Sequence, residues 1–228
     1  FELSPLLSER TGEELAAPPT ALHAKDSKAG YNVTTPQQAW VYWNTLQHQR
    51  TAGEVFEIAM EHARRAVERA KARTGQDIDV ISFAELKSKL AYSLPKQDAS
   101  LNFPEQSRLA TRALIESLGI TRPTVVMGFG SIPYSAVSLR DESLRATVSE
   151  AVQPFGLGSV NYFAGISDMS FFGEASGDLS VVASNTPIWG TSFTLAEPAG
   201  YPCINIGPWG RDYHHWLERL HAPYAFDV

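Results

Sequence analysis

The chain has 228 residues, of which 43% are hydrophobic, 11% aromatic and 19% charged, enough apolar content for a core and too little charge for a disordered chain. Its formal charge is −6, from 19 basic and 25 acidic residues, and no Lys/Arg cluster stands out, which argues against nucleic acid or an anionic membrane as a partner. Cys203 is the single cysteine, so an intrachain disulfide is excluded and a reducing, cytoplasmic setting is expected. No apolar run approaches membrane-spanning length, and no signal-peptide pattern opens the chain. The chain opens on Phe1 and closes on Ala225-Phe226-Asp227-Val228, a run with the pattern of a strand interior; both ends are expected to be cuts in something longer.

In chain order, the residues up to Pro18-Pro19 give no clear element, and Tyr31-Asn32-Val33-Thr34 is a short β-prone run. Thr35-Pro36, with Thr as N-cap and Pro in the first turn, predicts a helix to about Gln49 with Ala39, Trp40, Trp43 and Leu46 on one face. The clearest helix spans residues 52–74, where Val55, Phe56, Ala59, Met60, Ala63, Ala66, Val67 and Ala70 recur at three- and four-residue intervals before Gly75. Residues 77–83 fit a strand, 83–90 a short helix, and 104–118 an amphipathic helix closed by Gly119. Residues 124–129 fit a buried strand and 141–152 a helix with Leu144, Val148, Ala151 and Val152 inward. Residues 159–163, 180–183 and 201–206 are strand candidates, and 211–220 is expected to be a helix. Strands alternate with helices, so the fold class is α/β or α+β. Helix weight falls before Val152 and Gly, Pro, Ser and aromatic loops dominate after it, which sets a soft boundary near residue 163.

Three of the six histidines, His214, His215 and His221, crowd into the final stretch that begins Gly207-Pro208-Trp209-Gly210. On a helix His214 and Glu218 share a face, so an imidazole that binds metal would have a carboxylate beside it; the same spacing also describes a surface ion pair. One imidazole is not a metal site, because a catalytic zinc takes three protein ligands, and no His-Glu-x-x-His or Cys pair is present. Gly128-Phe129-Gly130-Ser131 lacks the spacing of a dinucleotide fingerprint and the lysine of a phosphate loop, and fits a strand end and turn. No Gly-x-Ser-x-Gly elbow occurs. Trp40, Tyr42 and Trp43 fit a core or subunit contact better than a ligand box.

At these residues the sequence resembles a family. Gly165-Ile166-Ser167-Asp168-Met169-Ser170-Phe171 is similar to the Gly-Thr-Ser-Asp-x-Arg-Phe segment of the zinc aminoacylase/carboxypeptidase superfamily. Gly207-Pro208-Trp209-Gly210, followed by Asp212-Tyr213-His214 and Glu218, is similar to its Gly-Pro-Gly turn and Ala-His-x-x-x-Glu. Pro18-Pro19-Thr20-Ala21-Leu22, Lys25-Asp26, Tyr31, Thr35-Pro36 and Trp43-Asn44 look like the inserted lid of one branch, the arginine-utilisation proteins of the RocB type, and the resemblance extends over nearly the whole chain.

The resemblance implies a zinc-dependent peptidase or amidohydrolase with two zinc ions sharing a bridging water, a glutamate base on that water, and metals that polarise the scissile carbonyl. It implies a lid or dimerisation domain over 1–163, a two-layer mixed sheet with covering helices, and the last part of a zinc-exopeptidase-like α/β catalytic domain over 164–228. One metal ligand carries over, onto His214, with His215 if the register is off by one; Asp212 and Glu218 would orient it from the second shell. Ser167, Asp168, Gly207, Trp209 and Gly210 would line the substrate site. The general base and the remaining ligands have no counterpart, so no catalytic residue falls within the chain, and the chain alone is expected to lack hydrolase activity. The family's carboxylate-binding Arg is Ser170 here, and the lid His that reaches a partner subunit has no match near Asn32. A small peptide or acylated amino-acid-like substrate and a homodimer through the lid are implied. The rival expectation is a non-catalytic binding or dimerisation module.

Overall fold

The computed structural model describes residues 10–11, 14–15, 18–31, 33–47, 50–89, 96–135, 137, 139–159, 168–173, 179–195, 199–207, 210–212 and 215–227. Helices and small sheets interleave along the chain, an α+β arrangement, and each sheet among the described residues has two strands. A short hairpin of β1 (Arg10–Thr11) and β2 (Glu14–Leu15) comes first, in a stretch where the sequence shows no clear element.

β3 (Thr20–Asp26) pairs antiparallel with β4 (Ala39–Asn44), in a register that sets Lys25 against Trp40 and His23 against Tyr42. The helix expected from Thr35 to about Gln49 is therefore absent. Trp, Val, Tyr and Trp in succession favour an extended pleat, and two-residue alternation puts Trp40 and Tyr42 on one face. The described residues of the β-prone run, Tyr31, Val33 and Thr34, lie in the connection between the two and belong to no strand.

α1 (Ala52–Thr74) matches its periodicity. Thr51 Oγ1 accepts from Glu54 N (3.2 Å) while the Glu54 carboxylate accepts from Thr51 N (2.7 Å), a capping box. Gly75, at φ 71°, ends the helix in the left-handed conformation and donates to Lys71 O (2.7 Å). Val55, Phe56, Ala59, Met60 and Val67 form the buried stripe.

β5 (Asp79–Ser82) runs directly into α2 (Phe83–Lys87), capped by Ser82; α3 (Phe103–Ser117) follows, capped by Asn102. The chain then returns as β6 (Thr124–Met127), parallel to β5 with Asp79 opposite Thr124 and Ser82 opposite Met127. A parallel pair requires such a crossover, and here α2 and α3 provide it. Phe83 and Leu86 of α2, Ala110 and Leu114 of α3, and Ile188 form the innermost cluster, with Ile81, Phe103, Val126 and Phe193 packed around it. Each fully buried side chain of this kind contributes about 1.5–3 kcal/mol.

α4 (Glu142–Val152) starts at Asp141, whose carboxylate accepts from Ser143 N and Leu144 N. The strand expected at 180–183 is instead α5 (Ser180–Asn185), whose Val182 is fully buried. Of the strand expected at 201–206 only a single bridge forms, between Tyr201 and Gly173. The strand expected at 159–163 falls almost wholly outside the described residues. The chain closes with β7 (Gly210–Arg211), β8 (Arg219–Leu220) and α6 (Ala222–Asp227), a helix where the last residues have a strand-like pattern.

Candidate functional site

Two segments carry the residues singled out by sequence, 165–171 and 207–221. In the first, Ser167 lies outside the described residues; Asp168 opens a 3-10 turn, Asp168–Phe171, and its side chain is not described. Ser170 hydroxyl donates to Ser135 O (2.7 Å), so this side chain is engaged with a backbone carbonyl. Gly173 N and Phe172 N both donate to Met169 O, which closes the turn.

The end of the turn then meets the run that precedes the second segment. Tyr201 N donates to Phe172 O (2.9 Å), and Gly173 and Tyr201 form a parallel bridge. A Cβ on Gly173 would stand 2.2 Å from Val137 Cγ1 and 3.3 Å from Cys203 Sγ, so only glycine allows these strands of chain to approach so closely. The fold thereby brings the Asp168 turn beside the run that leads to Gly207, an exposed residue.

Beyond it the expected helix over 211–220 does not form. β7 and β8 pair antiparallel, Gly210 with Leu220 and Arg211 with Arg219, and the described residues between them, 212 and 215–218, belong to neither helix nor strand. Asp212 sits at φ 61°, a left-handed conformation that Asp tolerates and that stops a right-handed helix at its start. His215 N donates to Asp212 O (3.0 Å) and Glu218 N to His215 O (2.9 Å), two successive turns. Arg219 Nη2 donates to Asp212 Oδ2 (2.6 Å), an exposed ion pair. The one-face argument for His214 and Glu218 thus has no helix to rest on. His214 and Trp209 fall outside the described residues; Asp212, His215 and Glu218 are exposed. His221 Nδ1 accepts from Tyr224 N (3.3 Å) in the first turn of α6.

No group of three or more His, Cys, Asp or Glu side chains that could hold a metal occurs among the described residues. They therefore do not make a zinc centre by themselves. A depression of about 520 Å³ lies elsewhere, lined by Arg50, Gly53, Glu54, Glu57, Ile58 and Val181, and none of the singled-out residues borders it. No helix among the described residues is long and apolar enough to cross a membrane.

Among curated proteins the chain is similar to "Uncharacterized protein YqjN" of Bacillus subtilis (strain 168), 28% identical over 269 residues that cover 100% of this chain and 49% of that one. It is also similar to Protein RocB of the same organism, 27% identical over 267 residues covering 97% of this chain and 47% of that one. The chain spans about half the length of the curated relatives it matches. No family model and no solved structure matches it.

Two features of the fold escape a reading by sequence. Asn185, 6% exposed, accepts from Ala84 N at Oδ1 (3.0 Å) and donates to Val181 O at Nδ2 (3.0 Å), so it caps α2 from 101 residues away. Trp40 lies under Arg108 of α3, whose guanidinium carbon is 4.3 Å from the ring centroid, with Lys25 Nζ at 5.7 Å and the His23 ring at 6.0 Å. Neither pairing has a local signature, because each joins residues far apart in the chain.

Proposed function

We propose that this chain is part of a zinc-dependent hydrolase that cleaves an amide or peptide bond and is linked to arginine utilisation. Residues 1–163 act as lid, residues 164–228 as the last part of the catalytic domain, and copies of the chain pair through the lid. The reading rests on the likeness to Protein RocB along 97% of this chain, together with the resemblance of its 165–171 and 207–218 segments to the zinc aminoacylase/carboxypeptidase superfamily.

In this reading Ser167 and Asp168 wall one side of a cleft and Gly207, Trp209 and Gly210 the other, in keeping with the bridge that ties Gly173, just after the Asp168 turn, to Tyr201, ahead of Gly207. His214 binds the metal in this reading, with His215 as the substitute ligand, and Asp212 and Glu218 orient it. The described residues supply no zinc centre, so their own part is to shape the wall and hold the loop that carries the histidine. The substrate class is a small peptide or an acylated amino-acid-like compound, and the setting cytoplasmic.

Large apolar side chains stand exposed along the terminal stretch: Tyr201 (63%), Ile206 (77%), Trp216 (90%) and Phe226 (78%). Exposed side chains of this size are available to pack against further polypeptide.

The test compares this chain with a longer polypeptide extended before Phe1, measuring bound zinc and amide hydrolysis in both. Zinc and activity confined to the longer one, and lost in its His214→Ala variant with folding intact, support the reading. Absence from both favours a non-catalytic binding or dimerisation module, and activity in the short chain shows that the metal shell is misassigned.

A further inference from the structure

β3 and β4 form a sheet of two strands, and residues 20–25 of β3 are all exposed. A two-stranded hairpin is at best marginal in water and depends on what it rests against. Here Trp40, bordered within the hairpin by Lys25 and His23, meets Arg108 of α3. Arg108 covers the Trp40 ring at 4.3 Å, and its guanidinium is aligned by Glu105, which accepts from both Nε (2.9 Å) and Nη2. The Glu105 carboxyl is held below its usual range, first by Arg108 and to a smaller degree by Lys25 and His23, so the hairpin's basic groups lie within its field.

The contact carries its own opposition. Trp40 Nε1 is buried with no hydrogen-bond partner. A cation over an indole face is favourable, a buried unpaired N–H is unfavourable, and the two effects are of similar size. A contact with α3 that carries such a balance gives way more readily than one anchored in an apolar core.

We propose that the β3–β4 hairpin is a strap that docks on α3 and releases as a unit, latched by the Arg108 guanidinium on the Trp40 indole. Glu105 is the positioning residue that keeps the guanidinium flat on the ring. The connection between the strands, residues 27–38, moves with the strap and carries Tyr31 (98% exposed) and Val33 (87% exposed). This inference rests on the hairpin's contacts alone and stands or falls independently of the hydrolase reading.

Hydrogen exchange followed by mass spectrometry on the whole chain tests it. In the wild type, peptides covering 20–26 and 39–44 should exchange together, on the order of 100-fold faster than the interiors of α1 and β5. Arg108→Ala should speed the hairpin a further tenfold or so, equivalent to about 1.4 kcal/mol, with α1 and β5 unchanged. Arg108→Lys, which keeps a cation for the ring, should recover part of that protection. Trp40→Phe keeps a ring and removes the buried donor, so the hairpin should remain at least as protected as in the wild type. The proposal is overturned if the hairpin exchanges no faster than α1. It is equally overturned if Arg108→Ala, in a folded protein, leaves the hairpin rate unchanged or accelerates every segment alike.

Discussion

Asn185→Ala removes a cap that the chain supplies to α2 from a distant helix. Ala84 N, in the first turn of α2, has its acceptor in Asn185 Oδ1 at 3.0 Å, while the neighbouring Glu85 N is served locally by Ser82 Oγ at 3.1 Å. Deleting the amide leaves the Ala84 N–H unpaired beside the core, at about 1–3 kcal/mol, and a lost N-cap costs a similar amount by separate measure, about 0.5–2 kcal/mol. These describe one loss, so about 2 kcal/mol is expected rather than their sum. Val181 O loses its side-chain donor too, but that bond lies within α5 and weighs less. Urea unfolding followed by circular dichroism should show a midpoint lower by about 1 M at an m-value of roughly 2 kcal/mol per M, with m itself unchanged. Ser184→Ala is the control: Ser184 is exposed, its hydroxyl donates to the same Val181 O (3.1 Å), and its loss should stay within about 0.5 kcal/mol. An Asn185→Ala effect no larger than that of Ser184→Ala would refute the view that this amide joins the two parts of the core.

Leu114→Ala, at a side chain with no exposed surface packed among Phe83, Leu86 and Ile188, should lower stability by about 2–5 kcal/mol in the same assay. Gly128→Ala should destabilise by about 1–3 kcal/mol, because the new Cβ would stand 2.8 Å from Asn185 O, a backbone atom that cannot swing aside, and 3.2 Å from Phe83 Cβ. The Glu85 carboxyl is held below its ordinary value of 4.5, first by the backbone bond from Ser82 and then by the Ser82 hydroxyl. A depressed folded-state pKa means that the folded protein binds fewer protons, so this contribution is complete above that ordinary value and is lost as pH falls through the folded one. Urea midpoints measured on the acid side of neutrality should therefore fall with pH, and less steeply in Glu85→Gln than in the wild type.

Where a signal was local, the chain sequence alone was enough. α1 announces itself by an apolar stripe at helical spacing and by the Gly75 that follows it, signals that are all local. The existence of α3 and α4 was legible in the same way, although α4 buries none of its residues, and so was the fold class that follows from helices interleaved with strands. β4, α5 and the 210–220 hairpin were decided by tertiary structure. A short apolar run such as residues 180–183 suits either helix or strand by its own pattern, whereas in β4 the aromatic and β-branched run favours a strand and pairing with β3 sets its register. Where a helix over 211–220 is expected, the register of β7 with β8 and the left-handed conformation at Asp212 prevail instead. Spacing along a chain reports neighbours only once the backbone conformation is known, and at these places long-range pairing set it.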